Sequence, residues 1–208
     1  MGFSLEKIRA GQRNLQDVAV RWTSIPELSS RAEFFVSLFE KYLSANSEVL
    51  DIGGGWGFYA APLKKRGHHL VVLDAVKPGY QEAPVVICEP GQPIPFPDKS
   101  FDVSLMITML HHTSDPEAVI NEARRVTRKR LIVVEDIYHH ALGRFWTVLR
   151  DRIYNFEYFG HPCQFKKSEG WKELFNKMGL RLAAEHQANT RLMGLSILNA
   201  VYVLEIPE

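Results

Sequence analysis

Residues 49–63, VLDIGGGWGFYAAPL, constrain the fold more than any other stretch of the sequence. An apolar run ends at an acid, passes through four glycines in five residues, and continues with apolar residues at helical spacing. A glycine-rich turn between a parallel strand and a helix lets the backbone approach a ligand while the helix presents its N-terminus. We therefore expect a ligand site at the end of the first strand of an α/β protein.

Apolar strand-like runs alternate with helical patterns along most of the chain. The runs expected to form parallel strands are 49–52, 70–73, 85–88, 103–107 and 131–134. Helices are predicted at 58–66, at the segment that Asp115 caps and Pro116 begins, and at 168–178, which ends at Gly179. Residues 180–186 and 195–206 follow with no helix between them and should pair antiparallel. This alternation predicts a doubly wound sheet with a mixed C-terminal edge.

The segment before residue 49 is predicted to form two helices. In the second, Ser30 and Glu33 have capping-box spacing, and apolar residues follow on one face. We predict one domain over residues 1–208. Its parts are the N-terminal helices at 1–46, a cofactor-binding core at 47–137, a helical lid or insertion at 138–166, and the C-terminal part of the sheet at 167–208.

The glycine spacing separates two classes of ligand. A dinucleotide site needs G-x-G-x-x-G, and Phe58 occupies the third glycine position here. The observed pattern is Asp-x-Gly-x-Gly-x-Gly, formed by Asp51, Gly53, Gly55 and Gly57. A carboxylate at this place repels a pyrophosphate and suits a ligand that carries an amine, such as S-adenosylmethionine.

Three stretches together resemble the class I S-adenosylmethionine-dependent methyltransferases, and specifically their type 11 group. They are VLDIGGGWG, the acid of VVLDA, and PIPFPDKSFDVSLMITMLHHTSDPEAVINEARRV, so the resemblance spans residues 49–136. It implies a Rossmann-like sheet of seven strands, with a cofactor across the carboxyl ends of the strands. It also implies in-line transfer of a methyl group.

The resemblance also implies which residues contact the cofactor. Asp51 and the alternate glycines would border the methionine moiety, and Asp74 would bind the ribose. The remaining contacts would be Ala75 and Glu89 at the adenine, and Met106 and Ile107 on the sulfonium side. Glu89 lies one residue further from the PF of IPF than is usual in the group.

The acceptor side should follow the fourth and fifth strands. Residues expected there are His111, His112, Glu135, Asp136, Tyr138, His139 and His140. The histidines are the candidates for catalysis, because a side chain with a pKa near neutrality can take a proton from a hydroxyl or amine. The LHH pair belongs to the group's general pattern, so a role in orienting a loop stays open. Neighbouring strand positions point to opposite faces, and we therefore predict no metal site.

Residues 141–165 are rich in aromatic side chains interleaved with arginines. Phe145, Leu149, Ile153 and Phe156 have helical spacing, which favours a helix whose apolar stripe packs on the sheet edge. The alternative is a lid over an aromatic-walled pocket, with an arginine for an acidic substrate. We favour the lid; a peripheral contact with a membrane is a third reading.

Composition narrows the class of protein. Lysine and arginine number 25 against 24 acidic residues, which gives no electrostatic reason to expect nucleic acid. The two cysteines, and the lack of a signal peptide or membrane span, favour a reduced, cytoplasmic protein without stable membrane association. The run from Arg124 to Arg130 is interpreted as a solvated helix end.

We therefore predict methyl transfer from S-adenosylmethionine to a small organic molecule. Motifs for DNA adenine amines or for a cysteine nucleophile are missing from the fourth strand. The acceptor atom, the need for a base and the oligomeric state stay open. The alternative is a non-catalytic subunit or regulator that binds the same cofactor; an aminopropyltransferase and a nicotinamide dehydrogenase fit the motifs less well.

Overall fold

The computed structural model describes residues 25–75, 83–155, 164–192 and 194–207. The helices in these ranges are α1 (Ile25–Phe39), α2 (Ala60–Lys65), α3 (Pro116–Val126), α4 (Ala141–Asn155) and α5 (Ser168–Lys177), with 3-10 turns at Glu40–Tyr42 and Leu110–His112. The strands are β1 (Glu48–Ile52), β2 (His69–Asp74), β3 (Val85–Ile87), β4 (Phe101–Ile107), β5 (Thr127–Asp136), β6 (Arg181–Leu192) and β7 (Leu195–Glu205).

The strands form one seven-stranded sheet in the order β3-β2-β1-β4-β5-β7-β6. Strands β1 to β5 pair in parallel, whereas β7 is antiparallel to both β5 and β6. The predicted Rossmann-like sheet with an antiparallel C-terminal edge is therefore confirmed. The strand order reverses between β1 and β4, and a crevice for a ligand forms at the carboxyl ends beside such a reversal.

Helices cover both faces of the sheet, so its central strands are apolar on both sides. One apolar layer includes Trp171 and Phe175, and the other includes Phe35. Leu131 and Val133 of β5 belong to the first layer, while Ile132 and Val134 belong to the second. The unbroken apolar run at 131–134 is thus the expected pattern of a strand with two buried faces.

The predicted ends of α3 and α5 are confirmed. Asp115 Oδ1 accepts a hydrogen bond from the Ala118 N–H at 2.9 Å, and Pro116 is the first helical residue. Gly179 follows α5 with a φ of +71°, a conformation that glycine adopts without strain.

The capping-box prediction at Ser30 is wrong. Helix α1 already begins at Ile25, so Ser30 lies inside it and its hydroxyl donates to the carbonyl of Pro26. Glu33 pairs with Arg66 instead of capping a helix. The other helix predicted before residue 49 lies outside the described residues.

The apolar stripe of helix α4 faces solvent, whereas the sequence predicted that it would be buried. Phe145, Leu149 and Ile153 are 58%, 36% and 45% exposed, and Trp146 is 59% exposed. The buried side chains of this helix are polar: Thr147, Arg150 and Asp151. The prediction that the apolar stripe packs against the sheet is therefore wrong for these positions. Phe156, the next residue of the stripe, lies outside the described residues.

The basic run after α3 is only partly a solvated helix end. Strand β5 begins at Thr127, so Arg128, Lys129 and Arg130 are strand residues. Asp102 forms ion pairs with Arg128 and Lys129, each at 3.1 Å. These cations fix the start of β5 against the neighbouring loops.

Within the described ranges, none of the helices has both the length and the apolar character that crossing a membrane requires.

Two tryptophans give a matched test of how α4 is oriented. Trp171 on α5 is fully buried, so its replacement by alanine should lower the free energy of unfolding by about 3–5 kcal/mol. Trp146 on α4 is mostly exposed, and Trp146→Ala should change that free energy by only about 0.5 kcal/mol. Urea unfolding followed by circular dichroism measures both. Equal large losses for the two variants would contradict the orientation of α4.

Candidate active site

The glycine loop leaves the carboxyl end of β1 at the strand-order reversal. Gly53, Gly55 and Gly57 have φ angles of +67°, +51° and +70°, which side chains other than glycine adopt at a cost. The Gly53 N–H donates to the carbonyl of Leu73 on β2 at 2.7 Å. The backbone of this turn is left-handed at the three alternate positions, and this conformation explains why each of them is a glycine.

Asp51 lies beneath this loop with its side chain fully buried. Among the described residues neither of its carboxylate oxygens has a hydrogen-bond partner. A Cβ built on Gly54 would lie 2.4 Å from Asp51 Oδ2, so only glycine fits above the carboxylate. Burial, and secondly the charge of Asp74, raise the pKa of Asp51 to about 8. A buried carboxylate in this condition favours a cationic ligand.

Asp74 ends β2 beside the loop. Its Oδ2 accepts a hydrogen bond from the Gly55 N–H at 2.9 Å, which ties the glycine loop to the second strand. Ala75 is half-buried next to it, and Glu89 is exposed just beyond β3. All three follow parallel strands at the same edge of the sheet as Gly53.

Met106 and Ile107, predicted to line the sulfonium side, lie in the two apolar layers on opposite faces of the sheet. Met109 lies directly against the loop, since a Cβ on Gly53 would be 3.1 Å from its Cε. Sequence reasoning missed Met109 because it follows the end of β4, where the strand pattern carries no further information.

His111 and Glu135 form a buried pair at the ends of β4 and β5. The Nδ1 of His111 lies 2.5 Å from Glu135 Oε2, and the Leu110 N–H donates to Glu135 Oε1 at 2.8 Å. The imidazole also stacks on Phe165, with ring centroids 4.2 Å apart. Glu135 therefore fixes both the turn and the orientation of the His111 ring.

The electrostatic surroundings of His111 favour a positive charge. Burial by itself lowers its pKa, but Glu135 and Asp151 outweigh that effect and raise the pKa to about 10. The two carboxyl groups therefore favour the protonated form of His111. A catalytic role for His111 stays a prediction.

His112 and Asp151 complete a compact cluster with His111. The two imidazole rings are 4.1 Å apart. Asp151 Oδ1 lies 3.5 Å from the Nε2 atom of each histidine. No local sequence pattern points to Asp151, because α4 brings it to the site from far along the chain.

Asp136 has a separate set of partners. Arg150 lies 2.5 Å from Asp136 Oδ2, and Asn199 Nδ2 donates to Asp136 Oδ1 at 2.6 Å. Arg150, one of the arginines interleaved in this segment, is thus used inside the protein. Glu135 and Asp136 point to different partners, as alternation along a strand requires.

His139 and His140, the other predicted catalytic histidines, are exposed and lie apart from this cluster. His140 Nδ1 accepts a hydrogen bond from the Gly143 N–H at 3.0 Å and so caps the first turn of α4. Tyr138 is half-buried between them and β5.

The comparisons with known proteins agree with this geometry. The sequence profile of the family described as a methyltransferase domain matches residues 50–134, from the glycine loop to the end of β5. This stretch of the chain is similar to that family of methyltransferase domains. The matched stretch is nearly the one on which the sequence resemblance rests.

Two curated relatives match part of this chain. An uncharacterized methyltransferase from Mycobacterium sp. (strain KMS) is 37% identical over 86 residues, which are 38% of this chain and 34% of the relative. A demethylmenaquinone methyltransferase from Tropheryma whipplei (strain Twist) is 32% identical over 104 residues, 45% of this chain and 43% of that protein. The chain therefore aligns with less than half the length of these relatives.

A solved structure shows the same fold. The 1,6-didemethyltoxoflavin-N1-methyltransferase of Burkholderia thailandensis has a TM-score of 0.66 and 14% sequence identity. The alignment covers 100% of this chain and 92% of that protein, which was solved with bound 1,6-didemethyltoxoflavin and S-adenosylhomocysteine.

The raised pKa of Asp51 predicts that ligand affinity depends on pH. A ligand ammonium pairs with the carboxylate and not with the protonated acid, so binding below the pKa of about 8 must release a proton. Affinity for S-adenosylhomocysteine should therefore rise from pH 6.0 to pH 7.5, by up to about tenfold per pH unit. Calorimetric titration at several pH values measures this.

Asp51→Asn is the matched control for that experiment. The amide has the same shape but no titratable proton, so the variant should bind weakly and with little dependence on pH. An equal dissociation constant for the unmodified protein at pH 6.0 and 7.5 would contradict the pairing of Asp51 with the ligand amine.

Proposed function

We propose that this protein transfers a methyl group from S-adenosylmethionine to a small organic molecule. The observation that carries the proposal is the buried Asp51 carboxylate without a partner, beneath a loop of alternate glycines. The negative charge of this carboxylate would repel the phosphates of a dinucleotide, whereas it would attract the positive charge of an ammonium group. The match of residues 50–134 to a methyltransferase domain supports the same reaction.

Residues at the carboxyl ends of neighbouring strands suit the successive parts of the cofactor. Asp51 would pair with the amine, and Asp74 would accept hydrogen bonds from the ribose hydroxyls. Ala75 and Glu89 lie where the adenine would extend beyond β2 and β3, and Met109 borders the loop on the β4 side. When bound, the cofactor supplies a methyl group on a sulfonium, which a nucleophile can displace.

The acceptor end of the site is the cluster of His111, His112 and Asp151. It follows Met109 by two residues, so it lies on the β4 side of the glycine loop. Glu135 holds the His111 ring in one orientation, which leaves Nε2 directed at Asp151. These residues would bind and orient the acceptor, and positioning alone contributes much of the rate when the methyl donor is reactive.

The named relatives support a small organic acceptor. One is named for demethylmenaquinone and another was solved with 1,6-didemethyltoxoflavin. The cluster suits such a molecule better than a nucleic acid, because His111 and Asp151 are buried and His112 is half-buried, so the polar atoms do not form an open basic surface.

Calorimetry with S-adenosylmethionine, S-adenosylhomocysteine and NAD tests the cofactor assignment. Binding of the first two but not of NAD is the expected result. A screen of small acceptors with radiolabelled methyl donor then separates an enzyme from a non-catalytic subunit or regulator, which would bind the cofactor without transferring its methyl group to any acceptor.

Asp74 gives a sharper test of the cofactor site. Asp74→Ala would remove charge-assisted hydrogen bonds, each worth roughly 1.5–3 kcal/mol, so affinity for S-adenosylhomocysteine should fall at least tenfold. The change also removes the acceptor for the Gly55 N–H. Asp74→Asn keeps that acceptor without the charge and should lose less affinity.

An exposed acid serves as the control for that measurement. Asp98 lies away from the glycine loop and pairs with Arg125, so Asp98→Ala should bind S-adenosylhomocysteine like the unmodified protein. A correctly folded Asp74→Ala protein with unchanged affinity would remove Asp74 from the cofactor site.

We also propose that residues 138–166 act as a lid. The described part of this segment, α4, attaches through polar contacts of Arg150 and Asp151 and leaves its apolar side chains exposed. Little apolar area is lost when such a helix lifts, so local opening should cost little free energy.

Hydrogen exchange over residues 141–155 tests the lid. Exchange should be fast in the ligand-free protein and should slow when S-adenosylhomocysteine or substrate binds. Helix α5, which buries Trp171 and Phe175, is the internal reference and should stay protected throughout. Equal protection of α4 and α5 without ligand would show that α4 is a fixed part of the fold.

A further inference from the structure

We propose that His111, His112 and Asp151 bind a divalent metal ion of the zinc type at the acceptor end of the site. Metal binding by this cluster does not depend on the proposed function. The role given to the ion below, holding an oxygen of the acceptor, rests on the proposed function.

The distances in the cluster fit a tetrahedral ion. Asp151 Oδ1 lies 3.5 Å from Nε2 of His111 and 3.5 Å from Nε2 of His112. One ligand atom from each of the three residues lies within 4.8 Å of the others. Bonds of about 2.0–2.1 Å around a tetrahedral zinc ion place neighbouring ligand atoms about 3.3 Å apart. Small side-chain adjustments would therefore complete the site.

The surroundings of His111 are those of a metal ligand. Glu135 binds its Nδ1 at 2.5 Å, which leaves Nε2 as the atom that faces the cluster. His111 is 1% exposed, and within the described part of the chain its Nε2 has no hydrogen-bond partner of good geometry. A carboxylate on one imidazole nitrogen and a metal on the other is the usual arrangement in metalloproteins.

The charges of the buried groups also suit a divalent cation. Asp151 and Glu135 are both buried and each carries a negative charge when ionised. Asp136 is already paired with Arg150. A doubly charged ion bound by two neutral histidines would displace the proton of His111 and take over the compensation of the negative charges of Glu135 and Asp151.

Alternation along β5 led the sequence analysis to predict no metal. Glu135 and Asp136 do point to different partners, and neither is a ligand in this proposal. The carboxylate ligand is instead Asp151, which α4 supplies from another part of the chain.

Three protein ligands leave a fourth position open, as in catalytic zinc sites. An oxygen of the acceptor, from a hydroxyl or carbonyl group, is the ligand that this position suits. The ion would orient the acceptor and withdraw electron density from its oxygen. The substrate class that follows is a small molecule with an oxygen next to, or at, the methylated atom.

The test measures metal binding and not activity. The protein, freed of metal by a chelator, is titrated with Zn²⁺ and separately with Co²⁺, whose visible absorption reports ligand number and geometry. Bound metal is counted by mass spectrometry after gel filtration. We expect one equivalent of either ion, a tetrahedral cobalt spectrum and a raised Tm.

Two variants remove ligands, and a third is the control. Asp151→Asn and His112→Ala should each weaken cobalt binding at least tenfold and abolish the tetrahedral spectrum. His69→Ala should bind like the unmodified protein, because His69 is exposed at the start of β2 on the opposite edge of the sheet. If one ligand variant fails to fold, the other decides.

The proposal is overturned if the unmodified protein binds no cobalt, or if both ligand variants bind it as tightly as His69→Ala. The second outcome would assign binding to surface histidines. Affinity for S-adenosylhomocysteine is measured on the same proteins. If the unmodified protein does not bind S-adenosylhomocysteine, the proposed function is refuted, and metal binding stands as an independent result.

Discussion

The buried carboxylate of Asp51 is the constraint on which the ligand end of this molecule depends. It lies at the end of β1 with both oxygens unpaired among the described residues, directly under the backbone of Gly54. Only glycine fits above it, and the turn around it needs left-handed backbone at Gly53 and Gly55. Since an unpaired buried carboxylate destabilises the folded protein, this arrangement is explained by a cation that binds there.

The same principle explains the orientation of α4. Glu135 and Asp136 end β5 and are buried, so the helix that covers them must present polar groups. Arg150 and Asp151 meet that requirement and turn the apolar side of α4 to solvent. Hydrophobic burial fixes the sheet and the other described helices, whereas charge pairing fixes this one.

Much of the fold was predictable from the sequence because its signals are local. Strands such as β5 and caps such as Asp115 depend on residues within a few positions. The prediction failed for α4 because an apolar stripe was assumed to face inward, and nothing local shows that carboxylates lie beneath it. Asp151 and Met109 reach the site through contacts between distant elements, which no spacing rule could reveal.

The two ends of the site are electrostatically joined. Tyr59 follows the glycine loop; burial raises the pKa of its hydroxyl, Arg31 opposes this, and Asp51 and Asp136 raise it further. The pKa of the Tyr59 hydroxyl therefore depends both on Asp51, which lies under the loop, and on Asp136, which binds Arg150 of α4. The proposed cofactor end and the proposed lid thus share one electrostatic neighbour, the hydroxyl of Tyr59, because Asp136 is also the partner of Arg150 on α4.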